Sequence, residues 1–378
     1  MARDTGTRES LLDRRSYLKM AGAAAATVSA SSVATDSVAA GGGSPNGNEL
    51  SGLRGAIYWP ARAYNHYQVW TEYDRAEIER DLSYAADLNL DALRVVVGWE
   101  FWRDHPGKFR RAFDHLLSTA ADRDLQILPV LFESIGAEPV PKNFADDDVM
   151  TAFAVKSPSL KVVENESLWD GPRKFVEWFT KRYGGRDALL ALEIMNEPGD
   201  LKPRVEFCRA MLRAARGVDS TVPLTMGCKD FKYNRQYADP ELDVYQFHYN
   251  LPKTAADMER KLREAERVAA DAGKPIWLTE WQRSRRPEPP NKFLPNYSSV
   301  ADIIADSDVD GDFFWQLMLK PAYINKPRKM GRLNGLVHED GAVYSVDDAR
   351  AISGDGGEWF ERQDWPDWAA TAERRWAP

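Results

Sequence analysis

The stretch LLALEIMNEPGD, Leu189 to Asp200, decides the fold. It opens as an unbroken apolar run and stops abruptly at Asn196-Glu197-Pro198. An apolar run without polar alternation is what a strand covered on both faces requires. Proline has no N–H to give to a ladder, so Pro198 marks the strand's end. A buried strand that finishes on an amide and a carboxylate presents both at its tip.

Further apolar runs flank this one: RGAIYW (54–59), LRVVVGW (93–99), LQILPVLF (125–132), PLTMG (223–227), VYQFH (244–248), IWLTE (276–280) and DFFWQLM (312–318). Between them lie stretches with helical spacing at 74–88, 109–123, 173–183, 205–216, 255–273 and 299–307. In the first of these, Ile78, Leu82, Ala85 and Leu88 share one face. Gly273 followed by Pro275 predicts a helix stop just before the next strand. Eight strands alternating with helices predict a parallel sheet, and eight is the number that closes a (β/α)8 TIM barrel. The competing arrangement, an open doubly wound sheet, carries a glycine-rich phosphate turn after its first strand. Here that position reads YWPARAYNHY, without a glycine cluster. The expected fold is therefore α/β, a single barrel domain over residues 53–353.

Composition fits a soluble chain with a large core: 378 residues, 43% hydrophobic. A net charge of −8 argues against nonspecific nucleic-acid binding. Two cysteines, Cys208 and Cys228, cannot build a disulfide framework or a four-ligand zinc site, although one bridge between them stays open. The five histidines show no H-x-x-x-H spacing. No metal and no cofactor is expected.

LLDRRSYLKM followed by AGAAAATVSASSVA resembles a twin-arginine export signal over residues 1–40, with the export machinery as partner and a secreted product. Its apolar stretch is too short and small-residued to span a bilayer stably. GGGSPNGNELSG (41–52) reads as a flexible linker. The tryptophan-rich extension 354–378 is too short for a carbohydrate-binding module and is expected to pack back on the barrel as a helical turn or two.

Barrel enzymes carry their catalytic residues at the C-terminal ends of strands. By that rule Asn196 and Glu197 stand at the tip of strand four and Glu280 at the tip of strand seven, far apart in sequence but facing across one mouth. Two facing carboxyl groups suit glycoside hydrolysis, in which one protonates the leaving oxygen while the other attacks or activates water.

NEP on strand four, TE on strand seven, the arginine of LRV on strand two and a tryptophan on strand eight together resemble glycoside hydrolase family 5, a cellulase-like member of the clan of retaining (β/α)8 glycosidases. The ordered set of four carries the resemblance, which extends over about residues 53–350 and includes the turn NGLVHEDGAVYS (334–345). It implies Glu197 as general acid/base and Glu280 as nucleophile. It also implies Asn196 on the sugar 2-hydroxyl, Arg94 as the cation that keeps the nucleophile ionised, His248 near the acid/base and Trp315 as the aromatic floor. The family's strand-six motif is often His-x-Tyr; here it is His248-Tyr249-Asn250, so the tyrosine's usual bond to the nucleophile is not implied. Many family cellulases place a histidine after strand three, where this chain has LFES.

Two carboxyl groups about 5 Å apart repel, so one should keep its proton. Glu280 beside Arg94 is expected to stay ionised, and Glu197 to hold the proton. Sugar rings stack on aromatic planes, so Trp59, Trp99, Trp102, Trp281 and Trp315 are candidates for lining subsites. Tyr249 and the loop residues Tyr64, Asn65 and His66 are further substrate candidates. The basic stretch KPRKMGR (326–332) is a candidate wall of the cleft. Glu193 is expected in a salt bridge inside the barrel, and Glu100 and Glu133 in structural ion pairs. The expectation is an exported retaining glycosidase acting on a β-glucan, a β-mannan or derived oligosaccharides. An exo-acting β-glycosidase of a sister family and a catalytically silent carbohydrate-binding barrel are the alternatives.

Overall fold

A computed structural model of the protein describes residues 49–238, 241–285, 293–321, 332–354, 357–365 and 369. The chain divides into Met1–Gly41 and Gly42–Pro378. The first unit, where an export signal is expected, lies outside the described residues, as do residues 326–331 of the basic loop and Trp368 and Trp376 of the tail.

Eight strands form one sheet: β1 (Leu53–Ile57), β2 (Ala92–Val96), β3 (Gln126–Glu133), β4 (Leu192–Asn196), β5 (Leu224–Gly227), β6 (Tyr245–Asn250), β7 (Ile276–Gln282) and β8 (Gly311–Phe314). All its pairings are parallel, in the order β5-β4-β3-β2-β1-β8-β7-β6. The pairing of β1 with β8 joins the two ends of the chain, so the sheet curls into the expected (β/α)8 barrel. Between β5 and β6 the ladder lapses. There Asp243 N–H donates to Leu224 O (2.9 Å), and Thr225 Oγ1 donates to Val244 O (2.9 Å). Asn234, from the turn after β5, stands in for a strand: its amide donates to Gln246 O (2.8 Å) and accepts from Gln246 N–H (3.0 Å).

The outer layer comprises α1 (His66–Thr71), α2 (Arg75–Asp87), α3 (Glu100–Asp104), α4 (Pro106–Ala121), α5 (Asp170–Tyr183), α6 (Lys202–Val218), α7 (Ala255–Ala272), α8 (Ser298–Ala305) and α9 (Val346–Ser353). Prolines sit in the first turns of α4 and α6, where a missing N–H costs nothing. Helix α7 opens on a Thr254/Asp257 capping box and ends at left-handed Gly273, the predicted stop. Helices α1, α3 and α9 were not foreseen. The first two span 6 and 5 residues, too few for a helical period to stand out; α9 has 8, the length of the foreseen α8, so length does not explain its absence from the sequence reading.

One expectation changes, and the open question of the cysteines is answered. The segment 41–52 was read as linker throughout, yet Leu50 is 7% exposed and its carbonyl accepts from Trp277 Nε1 (2.9 Å), so its end belongs to the folded body. Cys208 and Cys228 are both buried free thiols. In the tail, Ala369 lies in a helical turn and is buried, while residues 357–365 run without a helix. They pair through Glu361 with Val343, and Trp365 is buried. Among the described residues no helix is long and apolar enough to cross a membrane.

Candidate active site

The site is built at the C-terminal ends of β2, β3, β4, β6 and β7. Its base is a buried ion pair. Arg94 on β2 grips Glu193 on β4 through Nε (2.7 Å) and a terminal nitrogen (2.5 Å), and donates to Asn196 Oδ1 (2.8 Å). Burying two charges is tolerable here because the geometry is bidentate and the spare donor is used. Room for the pair depends on Gly227 at the tip of β5, where a Cβ would lie 2.2 Å from Glu193 Oε1. The expected salt bridge of Glu193 is thus present. The expected strand-end partner of Arg94 is secondary, with Glu280 standing 3.8 Å away.

Above this base three groups converge. One carboxylate oxygen each of Glu197 and Glu280 and one ring nitrogen of His248 lie within 4.8 Å of one another. His248 Nδ1 is 2.8 Å from Glu197 and 3.4 Å from Glu280, hydrogen-bond spacings that suit a shared proton. Glu197 begins just past β4 with φ of +43°, a left-handed conformation that costs a non-glycine residue about 1–2 kcal/mol. Its N–H is held by Gly227 O (2.7 Å) and its carbonyl by Ser134 Oγ (2.5 Å), so the strained turn is fixed at both ends.

The electrostatics run opposite to the sequence expectation. Burial pushes Glu197 up, but the hydrogen bond and charge of His248, with Arg94 and Lys229 beyond, outweigh it and hold the carboxyl below its ordinary value. Burial lifts Glu280 above its ordinary value; His248 opposes this and Glu197 adds to it. The cause is geometric: Arg94 is spent on Glu193, while the imidazole leans toward Glu197.

Asn250, which sequence reasoning passed over, donates to Glu280 Oε1 (2.7 Å). A relay continues through Gln282 to Asn250 Oδ1 (3.1 Å) and Arg332 to Gln282 Oε1 (2.7 Å). Alternation along a strand is the signal that finds both amides, since His248 and Asn250 share one face, as do Glu280 and Gln282. Lys229, exposed after β5 and acting on Glu197, was likewise not foreseen.

The same alternation corrects two substrate candidates. Tyr249 lies on the face opposite His248 and packs against the core. Trp281 is fully buried, with Nε1 on Asp312 (2.8 Å) and its ring against Tyr297 and Phe314. Trp59 keeps 4% exposure beneath the Lys320 ammonium, 5.6 Å from its ring, so packing dominates there. Trp315, at 9%, stands just past β8. Trp99 carries Arg103 over its ring, and Trp102 packs on Phe175 and Trp178. Tyr64, Asn65 and His66 are buried, with Asn65 capping α1 and reaching the Phe144 carbonyl, so none is placed for sugar. Glu100 accepts from Ser157 Oγ (2.6 Å) and lies 3.5 Å from His66. Glu133 is not the ion pair expected; its partners are the Asn196 amide and the Ile135 N–H.

The family model described as cellulase (glycosyl hydrolase family 5) matches residues 61–318. No curated protein matches the chain. Solved structures share the fold at low identity. An exo-beta-1,4-mannosidase from Opitutaceae bacterium strain TAV5 aligns with TM-score 0.63 and 17% identity over 91% of this chain; the match spans 63% of that longer chain. An endo-1,4-beta-D-mannanase from Thermotoga petrophila aligns at 0.55 and 14%, over 80% of this chain and 98% of its own. A GH5_18 protein from Streptomyces cattleya aligns at 0.57 and 16%, over 87% and 82%.

Proposed function

Given that the chain belongs to glycosyl hydrolase family 5 and is an O-glycosyl hydrolase, we propose that it cleaves β-glycosidic bonds with retention, by double displacement. The observation that carries this is the approach of Glu197 and Glu280 to within 4.8 Å. Retaining glycosidases hold their carboxyl groups about 5–5.5 Å apart, whereas inverting ones leave about 6.5–9.5 Å for a water. Family membership sets aside the catalytically silent barrel.

In the proposed first step a Glu280 oxygen attacks the anomeric carbon while the bond to the leaving oxygen breaks and Glu197 supplies that oxygen's proton. Charge building at the carbon favours an ionised Glu280, which Asn250 and Arg94 steady. The proton shared with His248 moves along a 2.8 Å bond to Glu197. In the second step water adds to the glycosyl-enzyme as Glu197 takes back a proton. Trp315 is the floor beneath the sugar and Asn196 the contact to its 2-hydroxyl.

For substrate we place β-mannosides first, ahead of β-glucans, because the structural neighbours named above are a mannosidase and a mannanase. Products from mannans, β-glucans and aryl β-glycosides would separate internal from terminal cleavage. Glu280→Ala and Glu197→Ala should each lose at least about 10²-fold in kcat, and azide should rescue Glu280→Ala with inverted product. Near-normal turnover by Glu280→Ala would refute the assignment. Export by the twin-arginine route rests on Arg14-Arg15 ahead of the alanine-rich segment. Arg14→Lys with Arg15→Lys should leave precursor inside the cell, and unchanged secretion would discard that route.

A further inference from the structure

Glu133 is a buried carboxyl that the proposed mechanism does not use. It ends β3 directly beside Asn196, its register partner at the end of β4. It keeps 6% exposure and has no ion-pair partner among the described residues. The Asn196 nitrogen lies 2.9 and 3.0 Å from its two oxygens, while the Asn196 oxygen accepts from Arg94 at 2.8 Å. Glu133 is itself pinned, because the Ile135 N–H donates to its Oε1 at 2.8 Å.

These contacts leave the Asn196 amide one orientation. A flip would set its NH2 against the Arg94 guanidinium, donor against donor, and forfeit the 2.8 Å bond that the Asn196 oxygen accepts there. One N–H divided between the two Glu133 oxygens leaves the second N–H for a ligand. We infer that Glu133 is a positioning residue that sets specificity at the sugar's C2, by clamping the amide that contacts the 2-hydroxyl. The inference rests on the proposed role of Asn196. A 2-hydroxyl is axial in a mannoside and equatorial in a glucoside, so it meets a fixed donor from different directions. A clamped amide cannot swing to serve both, and a missed hydrogen bond to a committed polar group discriminates strongly. Burial pushes Glu133 up to about 8, with Glu197 adding to this, while Asn196, the Ile135 N–H and Arg94 oppose it. At neutral pH it is therefore mostly a neutral carboxyl, which glutamine imitates.

The test is a double-mutant cycle on the full chain with aryl β-mannoside, aryl β-glucoside and the 2-deoxy glycoside. Glu133→Ala should lose about 10–100-fold in kcat/KM on the preferred epimer, with a smaller loss on the other, so that selectivity narrows. Adding Glu133→Ala to Asn196→Ala should cost nothing further, because one residue acts through the other. On the 2-deoxy glycoside, wild type and Glu133→Ala should be nearly equal. Glu133→Gln, whose carbonyl can take both N–H groups, should recover most of the rate and guards against a folding defect. Losses that multiply in the double variant, or an equal loss on the 2-deoxy glycoside, overturn the inference alone. A wild type inert on all three glycosides would bring down the functional reading, and this inference with it.

Discussion

His248 divides its attraction between two carboxylates, 2.8 Å from Glu197 and 3.4 Å from Glu280. Its hydrogen bond is the strongest pull holding Glu197 low. Replacing it by glutamine removes that pull, leaving burial to raise Glu197. If Glu197 is the acid, the alkaline limb of kcat/KM follows its titration and should move to higher pH in His248→Gln. A pH–rate profile in which that limb stays put or moves down would show that the imidazole does not set the acid. At this scale the sequence marked the residues whose chemistry is rare at a strand tip, Glu197, Glu280 and His248. It misled where only the direction of a side chain mattered. Tyr249 was chosen from its place beside His248 in the strand-six motif and Trp281 for its ring, although counting by twos from His248 and Glu280 turns both away. Glu133 was legible as a carboxyl but not as a partner of Asn196, because inter-strand register is not written in either strand alone.

Gly227 shows how one element makes room for another. β5 is four residues long and ends where the Arg94–Glu193 pair passes beneath its backbone. A methyl there would displace Glu193 from a guanidinium with which it shares the barrel interior. Breaking one side of a buried pair costs about 3–5 kcal/mol, so Gly227→Ala should lower Tm by about 10 °C. Gly185, whose Cβ would meet nothing within 4 Å, is the control, and Gly185→Ala should melt near wild type. Equal melting of the two variants would show that the pair tolerates displacement. Strands and long helices were legible because burial on both faces, or on one stripe, imprints a period on the sequence. The loops were less so. His66–Thr71 and Glu100–Asp104 owe their helical turns to local contacts, with Asn65 capping the first.

The order of elements was legible as eight alternating units, but their closure was not, since nothing in a strand's composition says how firmly its neighbour holds it. The sheet reads unbroken from β6 through β7, β8 and β1 to β5, and is joined back on itself by a few bonds and the borrowed amide of Asn234. Glu197 follows directly on β4, on one side of that join; His248 and Glu280 belong to β6 and β7, on the other. The reacting groups therefore straddle the most lightly stitched edge of the cylinder. Warming that parts this edge by an ångström or two stretches the gap between acid and nucleophile while every other strand stays in place. Such an enzyme would fall silent on heating before it melts, its working temperature capped by a suture and not by its core.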